Sequence, residues 1–293
     1  MGRGMHEASK QLIAVATTIL REIKPTTVRS VCYQLFTLGL IGSMSDKNET
    51  GKVSRLLTIA RERGLIPWHW IVDETREVEQ AAQWRDGVSF IDSVMDQYRK
   101  DYWREQPCIV EVISEKGTVR GVLASVLDEF GVAFRVMHGY ASATAVNDIA
   151  EAIGRREKKT VLLYVGDWDP SGLCMSEVDL PARLERYGGD WYDLRRIALT
   201  EDDVRSGNLQ SFDADTKRSD SRYRWFVERY GPRFCWELDA MNPNDLRERV
   251  RAEIVALLDI DAWNHMIEIE RAERESMEAV MGAWRATLKG LPD

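Results

Sequence analysis

Between residues 108 and 198, short apolar runs alternate with amphipathic segments, and this alternation limits the folds open to the chain more than any other feature. The apolar runs are CIVEVIS, VAFRVM, TVLLYVG and LRRIAL, and the segments between them carry apolar residues at helical spacing. Strands that alternate with helices are typical of a parallel sheet covered by helices. We therefore predict an α/β domain at 107–243, entered at Pro107.

Residues 1–77 show a different pattern. Three helical segments are expected at 8–23, 28–41 and 51–64, followed by LIPWHWIVDET as a strand or wing. Three helices and a strand, with the third helix basic, form the outline of a winged helix-turn-helix. A cationic face is also common on an ordinary solvated helix. On the third helix we expect an inward face of Val53, Leu56, Leu57 and Ile59, and an outward, candidate DNA-binding face of Lys52, Arg55, Arg61 and Arg63.

The remaining segments complete a two-domain α/β organisation. A charged helical linker is predicted at 78–106 and C-terminal helices at 244–293. FCWELDAM is a further predicted strand, and the polar stretch at 205–225 is expected to be a surface excursion, since it is longer than an ordinary loop.

Composition excludes several classes of protein. Hydrophobic residues make up 44% and charged residues 30% of the 293 positions, which is typical of a soluble globular protein, and we expect a cytoplasmic protein without a membrane span. The four cysteines form no CxxC pair, so a zinc site is not indicated. Because the net charge is -8, any DNA binding must come from a local basic patch.

Carboxylates follow two of the predicted strands. Asp167 and Asp169 follow TVLLYVG, and Glu115 follows CIVEVIS. Ligands of open parallel sheets lie beyond the carboxyl ends of the strands, and alternate residues of an extended segment point the same way. Oxygen ligands without His or Cys suit Mg²⁺ or Mn²⁺, so the sequence predicts a site for one or two divalent ions.

A structural interpretation competes with the metal site. In GDWDPSG, Asp167 could open a turn and Asp169 could cap the next helix. A calcium loop of the EF-hand type is excluded, because its twelfth position would be Val178 instead of a glutamate. Glu237 and Asp239 in WELDAM form a second carboxylate pair that could extend the metal site, whereas Trp68, Trp70 and Trp236 are expected to be packing residues.

GDWDPSG, with a glutamate at the end of an earlier strand, resembles the Toprim metal site, and its GDxDPSG form is similar to that of the A subunit of type IIB topoisomerases (topoisomerase VI) and the related meiotic double-strand-break protein. In that family a winged-helix domain precedes the Toprim domain and carries the nucleophilic tyrosine in an Arg-x3-Tyr pattern. This chain has Arg29-Ser-Val-Cys-Tyr33. It departs from the family in having Cys32 where a first tyrosine is frequent, in its shorter length, and in lacking any likeness to the ATPase subunit.

The resemblance implies Mg²⁺-dependent cleavage of double-stranded DNA by a homodimer associated with the nucleoid, with an ATPase partner subunit left open. Tyr33 would attack a phosphate at the metal site of the other subunit, Arg29 would stabilise its phenolate, and Glu115, Asp167 and Asp169 would hold the metal, with Glu115 also catalytic. Lys116 would contact DNA phosphate or simply form an ion pair. Two other interpretations stay open: a Toprim nuclease that hydrolyses DNA with metal-bound water, and a DNA-binding or regulatory protein without catalysis.

Overall fold

The computed structural model describes residues 7–72, 81–137, 143–231 and 234–288. In these ranges the α-helices are α1 Glu7–Ile23, α2 Val28–Thr37, α3 Lys47–Glu62, α4 Gly87–Gln97, α5 Thr118–Phe130, α6 Ala143–Arg155, α7 Pro170–Cys174, α8 Leu180–Arg186, α9 Glu201–Arg205, α10 Tyr223–Tyr230, α11 Pro243–Val255 and α12 Ile260–Leu288. The strands are β1 Cys108–Ser114, β2 Ala133–Val136, β3 Lys159–Val165, β4 Tyr192–Ala198, β5 Ser211–Asp213 and β6 Phe234–Trp236.

Contacts divide the chain into two compact units. The first comprises 1–75 with 110–256, and the second comprises 76–109 with 257–293. The sequence-based division drew its boundaries elsewhere: it separated the N-terminal helices from the sheet, which share the first unit, and it kept α11 and α12 together, which belong to different units.

The three N-terminal helices form as expected and share one core. Thr27 caps α2 by accepting a hydrogen bond from the Ser30 amide, and Asp46 caps α3 in the same way through Asn48. Apolar residues at helical spacing on all three helices face each other. The buried core includes Ile13, Ala16, Leu20, Val31, Leu35, Val53, Leu57 and Ala60.

Two details of this region differ from the sequence-based prediction. In place of the predicted strand there is a 3-10 turn at Trp68–Trp70, and Ile71 forms one isolated parallel bridge with Thr26. Residues 73–75 of the predicted wing lie outside the described residues, and a winged helix is not confirmed.

The outward position predicted for Arg61 is wrong. Arg61 is buried, with its guanidinium 4.8 Å from the centre of the Trp68 ring. The reason is helical spacing, because residue 61 lies one turn after Leu57 and two turns after Val53, on the face that meets the core. Ile59, predicted to face inward, is only partly buried.

The predicted α/β architecture is confirmed in its main features. The four long strands form one sheet in the order β2-β1-β3-β4, with β1 parallel to β2 and β3 parallel to β4. Their apolar residues are buried almost continuously in β1 and β3, as expected for central strands covered on both faces. The carboxyl ends of β1 and β3 therefore lie side by side and present Glu115 and Asp167 at one edge of the sheet.

The polar excursion is partly folded. Strand β5 pairs antiparallel with β6, a 3-10 turn at Ala214–Lys217 follows, and α10 completes the segment. The helix predicted after β3, at 175–187, is divided into a π-helical turn at Met175–Asp179 and α8, and the short helix α7 precedes it.

The second unit is helical and is described by itself. Helix α4 and the 3-10 turn at Tyr102–Glu105 pack against α12. The Gln106 side chain exchanges hydrogen bonds with the backbone of Asp259 at 2.8 and 3.1 Å, and Trp103 contacts Trp263 edge to face. Of the helices in the described ranges, none has an apolar stretch long enough for a bilayer span.

Candidate functional site

The Asp-Trp-Asp loop after β3 is held in an extended conformation by a backbone pairing. Trp168 exchanges two hydrogen bonds with Trp236, at 2.9 and 3.0 Å, and its ring is buried against Tyr230. Because neighbouring side chains of an extended segment alternate, Asp167 and Asp169 share the face opposite this tryptophan. Both aspartates are buried. The pairing explains why the two carboxylates flank a tryptophan.

Asp169 serves two partners with its two carboxylate oxygens. Oδ1 accepts a hydrogen bond from the Gly172 amide at 2.8 Å and caps α7, as the structural interpretation expected. Oδ2 lies 3.1 Å from the Lys217 ammonium. Gly172 is required by close approach, since a Cβ there would lie 2.4 Å from the Asp167 carbonyl oxygen.

Asp167 is joined to a second carboxylate through one lysine. Its Oδ1 accepts hydrogen bonds from the Leu238 amide at 2.7 Å and from Lys116 Nζ at 2.9 Å. Lys116 also donates to Asp239 Oδ2 at 3.0 Å. Burial lowers the pKa of Lys116, but the charges of Asp167 and Asp239 outweigh that effect, so the net pKa is raised and the ammonium stays charged.

Glu115 lies in the electrostatic field of the same cluster. Burial and, to a smaller extent, the charges of Asp167 and Asp169 raise its pKa to about 7. An excess of negative charge at a half-buried edge is the environment in which a divalent cation stabilises carboxylates. Among the described residues, no three acidic, His or Cys side chains already converge at metal-ligand distance. The oxygen-only donor set fits Mg²⁺ or Mn²⁺ in chemistry, and the ammonium groups of Lys116 and Lys217 offset part of its negative charge.

Arg196 of β4 organises the loop from behind, and sequence analysis missed it. Its guanidinium donates to the carbonyl oxygens of Gly166, Asp167, Leu199 and Gly172 and to the Ser176 hydroxyl, at 2.6 to 3.1 Å. It also covers the Tyr164 ring, with 4.8 Å to the ring centre. The sequence signal was a pair of arginines within the predicted strand LRRIAL, but only the fold identifies the partners of Arg196.

The helix of Tyr33 is attached to the other end of the same cluster. Thr27 donates a hydrogen bond to Asp239 Oδ1 at 2.6 Å, Ser30 donates to the Asp239 carbonyl at 3.2 Å, and Arg29 forms a two-bond ion pair with Glu237. Glu237 and Asp239 thus belong to the cluster. We call residues 237 to 239 the 237–239 segment.

Tyr33 itself is only 4% exposed. Burial raises the pKa of its phenol above the ordinary value, and the charge of Glu237 raises it further, while Arg29 acts in the opposite direction. Arg29 lies one helical turn before Tyr33, as predicted from the spacing. Because its pKa is raised from an already high ordinary value, the phenol is protonated at neutral pH in this arrangement.

The predicted site residues fall into two groups. One group, Arg29, Tyr33, Glu115, Lys116, Asp167 and Asp169, lies together in the first unit around the 237–239 segment. The other group, on α3, is exposed at Lys52, Arg55 and Arg63 and buried at Arg61.

Comparison with protein-family models found no match to the chain, and comparison with curated proteins found none either. The functional assignment therefore depends on the geometry of this cluster and on the motif resemblance.

Proposed function

We propose that the chain is a Mg²⁺-dependent enzyme that cleaves double-stranded DNA by tyrosine transesterification, similar to the topoisomerase VI A subunit. One observation carries the proposal: the 237–239 segment is hydrogen-bonded to Asp167 through the Leu238 amide and to the helix of Tyr33 through Asp239. The nucleophile and the acidic cluster are therefore linked through three consecutive residues. The homodimer, the attack of Tyr33 at the metal site of the other subunit, the ATPase partner and the nucleoid location follow from the resemblance alone.

Glu115, Asp167 and Asp169 would hold the metal, and Mn²⁺ would serve in place of Mg²⁺. When bound, the metal would orient the phosphate and neutralise charge on the leaving oxygen. The hydrogen bonds of Leu238 to Asp167 and of Gly172 to Asp169 keep one oxygen of each aspartate in place. Preorganised carboxylates of this kind need little rearrangement when the cation arrives.

Tyr33 would supply the oxygen that replaces the leaving oxygen at phosphorus. Its phenol proton passes to a base, the phenolate oxygen forms the new bond to phosphorus, and the bond from phosphorus to the strand's leaving oxygen breaks, so that one strand end keeps a protonated hydroxyl and the other is attached to Tyr33. For this step Arg29 would turn from Glu237 to the phenolate, because its charge stabilises the anion more strongly when Glu237 no longer neutralises it.

A second candidate, hydrolysis of DNA by a Toprim nuclease, is favoured by the burial and raised pKa of Tyr33. In that case water would be the nucleophile and Tyr33 a packing residue of α2. The two reactions leave different products, since only transesterification attaches protein to the DNA end.

The decisive experiment is incubation of the protein with supercoiled plasmid and Mg²⁺ or Mn²⁺, stopped with detergent and resolved with and without protease. Tyr33→Phe and Asp167→Asn are the test variants. Tyr192→Phe is the matched control, because Tyr192 is a partly buried tyrosine of the same unit whose hydroxyl makes one long contact, 3.5 Å to the Pro181 carbonyl.

Transesterification predicts cut DNA that carries protein in wild type and Tyr192→Phe and no cutting in Tyr33→Phe or Asp167→Asn. Protein-free cuts that survive Tyr33→Phe but not Asp167→Asn would establish the nuclease instead. DNA binding without any cutting in either metal would contradict both enzymes and favour a binding protein.

A further inference from the structure

Lys217 contacts the acidic cluster from the polar excursion, outside the motif that predicted the site. It ends the 3-10 turn at Ala214–Lys217, and its Nζ lies 3.1 Å from Asp169 Oδ2. The other oxygen of Asp169 is used by the α7 cap. A divalent ion that binds Asp169 through Oδ2 therefore meets the Lys217 ammonium at that oxygen, and two cations this close repel each other.

Lys116 and Lys217 differ in how firmly they are held. Lys116 donates to two carboxylates, Asp167 and Asp239, and its side chain is 26% exposed. Lys217 contacts the single carboxylate of Asp169, and its side chain is 40% exposed. A partly exposed lysine with one carboxylate partner gains little from the contact, and its four-carbon stem can move the ammonium without a backbone change. Lys217 is thus the cation that a metal can displace.

The backbone that carries Lys217 is anchored, so displacement would affect the side chain alone. Strand β5 pairs with β6 next to the turn, and Asp213 caps the turn through the Asp215 amide at 2.8 Å. Strand β6 also holds Trp168. A displaced ammonium would remain beside the Asp-Trp-Asp loop, and a second basic group is already there, since Arg222 donates to the Ser171 hydroxyl at 2.9 Å.

We propose that Lys217 is an exchangeable cation of this site: it neutralises Asp169 in the absence of a divalent ion, and it contacts a phosphate of the DNA backbone once a divalent ion has taken its place. The proposal rests on the proposed function, because it requires both the metal and the phosphodiester. Lys217 would then be a positioning residue for the substrate whose contact depends on metal.

The first measurement is Mn²⁺ affinity by titration calorimetry on the full chain, for wild type, Lys217→Met and Arg218→Met. Arg218 is the matched control, because it neighbours Lys217 and its ion pair is with the exposed Asp215. Removal of the competing ammonium should strengthen Mn²⁺ binding by about fivefold in Lys217→Met, the size expected for one partly exposed ion pair. Arg218→Met should bind Mn²⁺ as wild type does.

The second measurement is binding of a double-stranded oligonucleotide by fluorescence anisotropy, in a Tyr33→Phe background that prevents cleavage by the tyrosine, with Ca²⁺ or without divalent metal. With Ca²⁺, Lys217→Met should weaken DNA binding and reduce the slope of log affinity against log salt by about one, the loss of one phosphate contact. Without divalent metal, Lys217→Met should bind DNA as the background variant does, because Lys217 is then engaged by Asp169.

The proposal is refuted if Lys217→Met binds Mn²⁺ no more tightly than Arg218→Met, or if it weakens DNA binding equally with and without metal. Either result would leave the proposed function standing when wild type still binds Mn²⁺ and cuts plasmid. If wild type does not bind Mn²⁺, or if Asp169→Asn binds it as tightly as wild type does, the proposed function and this inference are both overturned. Circular dichroism melting of each variant would show that the fold is retained.

Discussion

Replacement of Arg196 by methionine should destabilise the first unit and disturb the acidic site at the same time. Arg196 donates five hydrogen bonds around the loop that contains Asp167. Methionine keeps an unbranched apolar stem and removes all five hydrogen bonds. The loop would lose its support from β4, although none of its own residues is changed.

The magnitude follows from what each acceptor retains. The Gly166 and Gly172 carbonyls keep other donors, the Leu199 and Met175 amides. Among the described residues, the carbonyls of Asp167 and Leu199 have no donor other than Arg196. Each polar group left unpaired inside a protein costs about 1–3 kcal/mol, so the free energy of unfolding should fall by about 4 kcal/mol.

Urea unfolding followed by tryptophan fluorescence measures this loss, and Mn²⁺ calorimetry measures the effect on the site. Arg195→Met is the matched control, because Arg195 is the preceding residue on β4 and is itself exposed, in an ion pair with the partly exposed Asp193. Its cost should stay below about 1 kcal/mol. For Arg196→Met we also expect Mn²⁺ affinity to fall, since the carboxylates would lose their fixed orientation. Equal stability of the two variants would refute the argument that Arg196 organises the loop.

Two further predictions concern close approach and pH. Gly172→Ala should lower the free energy of unfolding by about 1–3 kcal/mol and weaken Mn²⁺ binding, because the new methyl group meets the Asp167 carbonyl. The control Gly51→Ala in α3 has open space around the new methyl group and should be neutral or stabilising. Equal melting temperatures of the two variants would contradict this prediction. Burial alone would raise the pKa of Glu111, but Arg135 and Arg156 outweigh it and lower the net pKa. Ionised Glu111 should therefore stabilise the fold above the ordinary glutamate pKa, and this stabilisation should be lost as pH falls through the pKa of Glu111 in the folded protein. The difference in unfolding free energy between wild type and Glu111→Gln should shrink from pH 6 to pH 3. A constant difference would exclude the ion pairs as its cause.

Local patterns predicted most of the helices and strands, because the formation of these elements depends on residues that are close in sequence. The three N-terminal helices and the alternation from β1 to β4 form where periodicity placed them, and the carboxyl ends of β1 and β3 meet as parallel strands require. The same reasoning failed for Arg61, where charge was taken as a sign of exposure although the helical spacing put the residue on the core face.

The site was predicted in part for the same reason. Asp167, Asp169 and Glu115 are marked by their position at strand ends, which is a local signal. Lys217, Arg196 and Asp239 come from segments whose side chains reach the cluster only through β5, β4 and the turn after β6. No local pattern distinguishes Lys217 from an ordinary charged surface residue, and the patterns that mark Asp239 in WELDAM and Arg196 in LRRIAL do not identify their partners.

The sequence by itself determined the α/β class, the acidic loop after β3 and the tyrosine one turn after Arg29, because each depends on spacing along the chain. Only the tertiary structure decided which charges neutralise which: Lys116 and Lys217 on the aspartates, and Glu237 on Arg29. The physical reason is that electrostatic interactions depend on distance and burial in space, and these residues are separated in the chain by 48 to 208 positions.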